Sequence, residues 1–417
     1  MKIEITNLGM NGEGVGNCEG KIIFVNNALP DETVECEIFK NHDNYAIAKL
    51  LNIIVSSPNR VEPYCPYYSI CGGCELQHMN YKTQLEFKQT LVSNTLKKVG
   101  NIPCQVSPTI ECDSQFNYRN KITFSCIENE QGFKQKATNK IVDVQFCPLA
   151  NDNINKTFGL IKEYLANFKI RGIKNIVIRT LENQTLIAIV TKTKQNLFGL
   201  LEYLKSKINN FGLFNVVNKR NDSVVFTKEI YHVGGLKNIK LLNPKFELNI
   251  ESFYQTNLNI QTKLYNHILA QINKQDYVIN GYSGAGLLSA ILAAKAKRVV
   301  GIEINKSSHL NAENLKKCNN ISNLTNICGD FFENFKKLAN NSFNTIVLDP
   351  SKKGCGKETM QAINGIEKIV YVSCNPIALA KDLREIANNY IITSIQPFDM
   401  FPNTTSVETC VTLIKKH

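Results

Sequence analysis

Cys374 ends the run Ile369-Val-Tyr-Val-Ser-Cys-Asn-Pro376, an apolar, β-branched stretch that reads as a strand closed by a lone thiol and an Asn-Pro turn. At a strand end, its sulfur lies within reach of a substrate. Further on, Phe401-Pro-Asn-Thr-Thr-Ser-Val-Glu-Thr409 reads as a turn leading into a strand and carries one carboxylate, Glu408, thirty-four residues after Cys374. A thiolate that adds and a base that removes a proton are what addition–elimination on an electron-poor ring requires. The pair gains specificity from its surroundings: a cofactor loop, a cysteine cluster and a basic charge balance.

The cofactor loop is Asn280-Gly-Tyr-Ser-Gly-Ala-Gly286, between a strand and a helix. Gly281, Gly284 and Gly286 let the backbone turn tightly and approach a ligand. About twenty residues on, Glu303 ends the next strand, where a carboxylate accepts both hydroxyls of a ribose. A dehydrogenase fingerprint would carry a further glycine where Ser289 stands. G-x-G followed by an acidic strand end is instead the pattern of S-adenosylmethionine (AdoMet) methyltransferases. Asp330, after Ile327-Cys-Gly, is placed to reach the adenine, and Asp349, in Ile346-Val-Leu-Asp-Pro-Ser351, ends the fourth strand. In open α/β sheets ligands lie beyond the carboxyl ends of the strands, so these groups converge on one crevice.

The elements that must position them fall into three stretches. Residues 1–55 alternate as short strands (Lys2–Asn7, Lys21–Val25, Thr33–Phe39, Ala46–Ile54), with Gly9, Gly12, Gly14, Gly16 and Gly20 read as turns: a small OB-like barrel, a shape that often binds single-stranded nucleic acid. Ser56–Arg60 is a linker. Residues 58–250 mix strands (Ile122–Cys126, Ile141–Val144, Asn175–Thr180, Leu186–Thr191) with helices (Ile154–Phe168, Asn196–Lys207), an α+β domain. Residues 251–417 alternate strand and helix, as a parallel, Rossmann-like sheet with crossover helices does. No repeat or low-complexity block interrupts the chain.

Fourteen cysteines without a secretory leader point to metal or catalytic use rather than a disulfide framework. Cys65-x5-Cys71-Gly-Gly-Cys74 is compact, and Cys147 follows a later strand. Four thiolates suit either a [4Fe–4S] cluster or a tetrahedral zinc, and spacing does not decide between them. The gap between Cys65 and Cys71 is too wide for a radical-AdoMet motif. Cys18, Cys36, Cys104, Cys112, Cys126, Cys318, Cys328, Cys355 and Cys410 read as small buried hydrophobes. A formal charge of +12, from 48 basic and 36 acidic residues, favours a polyanion such as RNA. The absence of any apolar run of membrane-spanning length or of a signal-peptide core leads us to expect a cytoplasmic protein with no membrane partner. No segment asks for an obligate protein partner.

Together these residues resemble the TRAM-domain, iron–sulfur branch of the RNA (uracil-5-)-methyltransferases, which make 5-methyluridine in 23S ribosomal RNA. Cys65 to His78 resembles that family's cluster loop, and Tyr81, Gln84 and Lys88 the helix after it. Ser252-Phe-Tyr-Gln-Thr-Asn257 is similar to its cofactor segment and Asn280–Gly286 to its glycine loop. Ser373–Pro376 and Phe401–Thr409 are similar to its nucleophile and base motifs. The resemblance implies Cys65, Cys71, Cys74 and Cys147 as [4Fe–4S] ligands and Cys374 as nucleophile, with Glu408 as general base. It implies Gln255 and Tyr282 as cofactor contacts and residues 77–109 packed on the catalytic domain. Departures are Asn280 for an acidic residue, Ser283 for Cys, Ser406 for His, and Asp349-Pro-Ser-Lys-Lys-Gly354 for Asp-Pro-Pro-Arg-x-Gly. Lys352 keeps the charge of Arg without its bidentate fork, which bears on RNA choice. Tyr118-Arg-Asn-Lys121 sets charge beside an aromatic ring, as phosphate contact requires. Transfer-RNA relatives generally lack the cysteines and the barrel, which disfavours that substrate. A non-catalytic RNA-binding assembly factor is disfavoured by the intact Cys374 and Glu408.

Overall fold

The computed structural model describes residues 1–136, 138–220, 224–338 and 343–416. Strands β1 (Lys2–Leu8), β2 (Gly14–Cys18), β3 (Lys21–Asn26), β4 (Thr33–Asn41) and β5 (Tyr45–Val55) close into a barrel in the order β1-β2-β3-β5-β4. Alternation sends Ile3, Ile5, Val34, Cys36, Ala46 and Ala48 inward, and small residues among them fit the narrow interior. Gly14 and Gly16, read above as turn residues, lie inside β2. A side chain at Gly16 would meet the Glu4 carbonyl oxygen at 2.5 Å. Beneath the barrel, Leu29, Leu76, Met79 and Phe87 form a small apolar seam. The buried Glu32 accepts from Arg60 across it.

Helix α1 (Tyr81–Gly100) is capped by Asn80, whose side chain accepts from Thr83 N, and ends at Asn101 in the left-handed region. Its Val92 and Leu96 enter the same apolar cluster as Leu379 and Leu383 of the C-terminal region. The chain then builds β6 (Lys121–Ile127), β7 (Glu130–Lys134), β8 (Ile141–Asp143), α2 (Asp152–Asn167), β9 (Ile173–Leu181), β10 (Gln184–Thr191), α3 (Phe198–Lys205), β11 (Phe211–Val217) and β12 (Ile230–Gly235). These strands form one sheet, β12-β11-β10-β9-β6-β7-β8. Helices α2 and α3 cover one face. The other face packs on the hairpin β13 (Ile239–Leu242)–β14 (Lys245–Leu248) and on Ala285 and Ala290 beyond it. Burial on both faces explains why β9 and β10 are apolar without alternation.

The remaining elements are α4 (Leu258–Ala270), β15 (Tyr277–Gly281), α5 (Leu287–Ala293), β16 (Arg298–Glu303), α6 (Lys306–Cys318), β17 (Leu324–Cys328), α7 (Phe331–Leu338), β18 (Thr345–Leu348), α8 (Lys357–Ala362), β19 (Lys368–Ser373), α9 (Pro376–Arg384), β20 (Tyr390–Phe398) and β21 (Glu408–Lys415). Their sheet runs β17-β16-β15-β18-β19-β21-β20. Five strands are parallel, as expected, but β21 runs antiparallel between β19 and β20. That reversal matters chemically. With Ser373 opposite Thr409, the next pair in register is Cys374 and Glu408, so the antiparallel strand starts where the parallel strands end. Two cysteines read as buried, Cys318 and Cys328, are exposed because they sit at the ends of α6 and β17.

Candidate active site

Order in the sheet reverses between β15 and β18, and a cavity of about 910 Å³ opens there, beyond the strand ends. Ser283 N donates to Ile302 O at 3.0 Å, binding the glycine loop to β16. Glu303 accepts from Gly284 N at 2.8 Å and from Asn305 N at 2.7 Å, which fixes its carboxylate at the cavity wall. Tyr282 holds φ at 60°, an unusual value for a bulky residue, with its ring 5.2 Å from that of Phe331. Gly284 has φ 56°, and a side chain there would project into open space. Gly286 has a different task. Its Cβ would come within 2.5 Å of Ala312, so its lack of a side chain lets α5 and α6 approach.

The residues present fit AdoMet. Asn280, Tyr282, Gly284 and Glu303 all line the cavity, and buried Gln255 faces it from the segment before α4. Asn280 donates to Ser289 Oγ at 2.8 Å while its Oδ1 is buried without a partner, an acceptor left for a ligand. Gly286 lies behind the wall rather than in it. Asp330 also lies outside the lining: it is exposed and caps α7, accepting from Glu333 N at 3.1 Å.

Cys374, Asp349 and Glu408 share that cavity. Asn375 anchors the turn that follows Cys374: its side chain accepts from Ile377 N at 3.1 Å, capping α9, and donates to Lys352 O at 2.9 Å. Burial pushes the Cys374 thiol up to about 11, with Glu408 adding to the rise and Lys352 opposing it. Glu408 is 3% exposed, and burial, then Asp349, holds it well above the carboxylate range. Burial raises Asp349 to about 7. The two carboxyls therefore retain a proton between them near neutrality, and the ionised partner is the available acceptor.

The turn before Glu408 is held by residues that sequence reasoning did not single out for this task. Glu75 N and Leu76 N donate to Asn403 O, and Thr405 N donates to Glu75 Oε2 at 3.2 Å. Gln84 accepts from Asn403 N at 2.9 Å, Lys88 donates to Phe401 O at 3.0 Å, and Tyr118 to Pro402 O at 3.1 Å. Lys88 also forms a fully buried ion pair with Asp399. The cysteine segment and α1 thus clamp the loop that leads to Glu408. The spaced Gln84 and Lys88 were the signal, but their partners in this turn lie some three hundred residues away.

Cys65, Cys71, Cys74 and Cys147 line one small chamber of about 90 Å³, together with Gln77 and Arg119. Among the described residues no group of three His, Cys, Asp or Glu side chains is placed to hold a metal ion. The four thiols line the same chamber as Gln77, whose Nε2 donor is buried without a partner.

Residues 80–416 match the family model described as tRNA (uracil-5-)-methyltransferase, and residues 1–51 match the TRAM domain. The chain belongs to the tRNA (uracil-5-)-methyltransferase family. An uncharacterized RNA methyltransferase of Clostridium tetani is 35% identical over 98% of this chain and 94% of its own. One from Listeria innocua is 33% identical over 100% and 98%. The Pyrococcus abyssi tRNA (uracil-54, C5)-methyltransferase, solved with S-adenosyl-L-homocysteine, superposes with TM-score 0.81 at 25% identity, covering 99% of both chains. The protein is an AdoMet-dependent RNA methyltransferase with a TRAM barrel and a Rossmann-like catalytic fold. The Pyrococcus match corrects one expectation. A transfer-RNA enzyme shares the architecture along its whole length, so the N-terminal barrel does not disfavour that substrate. Among the described residues no helix is long and apolar enough to cross a membrane.

Proposed function

We propose that the protein methylates C5 of a uridine in RNA through a covalent bond between Cys374 and C6. The carrying observation is that Cys374, Glu408 and the glycine loop face one cavity. C5 of uracil is too weak a nucleophile to be alkylated directly. The Cys374 thiolate adds to C6, the ring electrons move toward O4, and C5 becomes an enolate carbon. AdoMet, held by Gln255, Tyr282, the glycine loop and Glu303, supplies an electrophilic methyl group and leaves as S-adenosylhomocysteine. With the shared proton on Asp349, the Glu408 carboxylate takes the C5 proton. The C6–S bond breaks, returning its electrons to Cys374 as thiolate. Lys352 favours that thiolate, and Asp349 tunes the proton of Glu408.

The target base must leave its stack, at a cost of roughly a few kcal/mol, least in a loop. A structured RNA with an unpaired uridine is the substrate, and 23S ribosomal RNA is our assignment, resting on the four-cysteine branch of the family. In this reading Cys65, Cys71, Cys74 and Cys147 hold a [4Fe–4S] cluster that supports the central domain. The full-length likeness to the Pyrococcus enzyme supports transfer RNA as a second reading. Mapping 5-methyluridine in both RNAs with and without the gene decides: loss from 23S RNA upholds the assignment, and loss from transfer RNA alone replaces it. Glu408→Gln should accumulate a methylated RNA–protein adduct, since addition and transfer precede proton removal. Free turnover by that variant would remove Glu408 as base.

A further inference from the structure

Arg119 stands in the wall between two cavities. It lines the catalytic cavity on one side and the four-thiol chamber on the other, and Gly73 of the cysteine loop does the same. Its side-chain hydrogen bond is a long one, from Nε to Tyr118 Oη at 3.5 Å. The guanidinium lies over the rings of Tyr118 and Phe401, at 5.8 and 6.0 Å from their centroids. Among the described residues no carboxylate pairs with it. Glu75, in the same cavity wall, is engaged with Thr405. The thiols of Cys74 and Cys147 answer the guanidinium on the chamber side; on the catalytic-cavity side no anion among the described residues meets its donors.

We propose that Arg119 is a phosphate subsite for the RNA strand, binding a phosphodiester next to the reacting uridine. This rests on the RNA-methylation reading. Phe401, over which it lies, opens the turn that leads to Glu408, and both residues line the catalytic cavity with Arg119. A planar fork pre-oriented by two aromatic faces suits bidentate capture of phosphate oxygens. The strand beginning at Lys121 continues from this point, and Asn120 Nδ2 donates to Gln255 O at 2.9 Å, which fixes the spacing between the phosphate and cofactor subsites.

The test uses full-length Arg119→Ala and Arg119→Lys proteins. Binding of a fluorescein-labelled oligouridine is measured across a salt series, alongside AdoMet affinity by calorimetry and visible absorbance for iron. Arg119→Ala should weaken RNA binding by about tenfold or more. The slope of log affinity against log salt should fall by about 0.7, as expected for one lost phosphate contact on a single strand. Arg119→Lys should recover the slope but not the affinity, and AdoMet affinity should hold in both. Unchanged RNA affinity and slope overturn the proposal. So does a loss confined to AdoMet, which would assign Arg119 to the cofactor's carboxylate, or a loss of iron with RNA binding intact. If Arg119→Ala does not fold, the slope and affinity of Arg119→Lys decide. Wild-type protein that methylates no RNA from a strain lacking the gene refutes the underlying reading instead. Wild-type turnover with undiminished Arg119→Ala binding refutes this subsite alone.

Discussion

Burial pushes the Cys374 thiol up to about 11, so the thiol form predominates in the free protein near neutral pH. The thiolate is the reactive form, and its fraction rises with pH until the folded pKa is reached. Alkylation of Cys374 in the free protein should therefore accelerate by about tenfold per pH unit from neutral to mildly alkaline solution. Lys352→Ala removes the cation that opposes the rise, so its alkylation should be slower at every such pH. A pH-independent rate, or a faster one in the variant, would contradict this. Cys374 and Glu408 were legible from their types and flanking turns. Their adjacency was not, because it depends on β21 running antiparallel, a pairing that no local pattern encodes. Asp330 was assigned by its place after a strand, yet an Asp there also caps a helix, and that is the task its carboxylate performs.

At the scale of elements, the glycine loop separates two uses of the same residue type. Gly286→Ala should destabilise the fold by about 1–3 kcal/mol through positive φ and the clash with Ala312, read as a lowered melting temperature. Gly284→Ala meets open space, so it should cost only about 1–2 kcal/mol for its backbone while markedly weakening AdoMet binding. Equal losses of stability with equal affinities would undo the distinction. Lys88→Met leaves Asp399 buried and uncompensated beneath the catalytic loop, and should cost about 3–5 kcal/mol in denaturant melts. The strands of the C-terminal sheet were readable because their apolar runs are short and bounded by glycine, proline and acidic ends. Helices α4, α7 and α8 and strands β2, β7 and β11 to β14 were not assigned from sequence. Their signals are weak alone: β11 is buried throughout and shows no alternation, and α8 is only six residues long.

Across the whole molecule, the barrel, the cysteine loop and α1 are joined through the seam at Leu29, Leu76, Met79 and Phe87 and then to the loop before Glu408. Loss of order in the cysteine loop should therefore reach Glu408. Protein prepared without oxygen should be brown, with about four irons per chain. Removal of that iron should speed hydrogen exchange at residues 399–405. A colourless preparation holding zinc would refute the cluster, and unchanged exchange would uncouple it from the base. The measurement that bears most directly on the chemistry is peptide mass spectrometry of the protein incubated with AdoMet and 5-fluorouridine-substituted RNA. Fluorine at C5 cannot leave as a proton, so a methylated nucleotide should remain bonded to the Cys374 peptide. An intact, unmodified Cys374 peptide under conditions that methylate ordinary RNA would contradict the account.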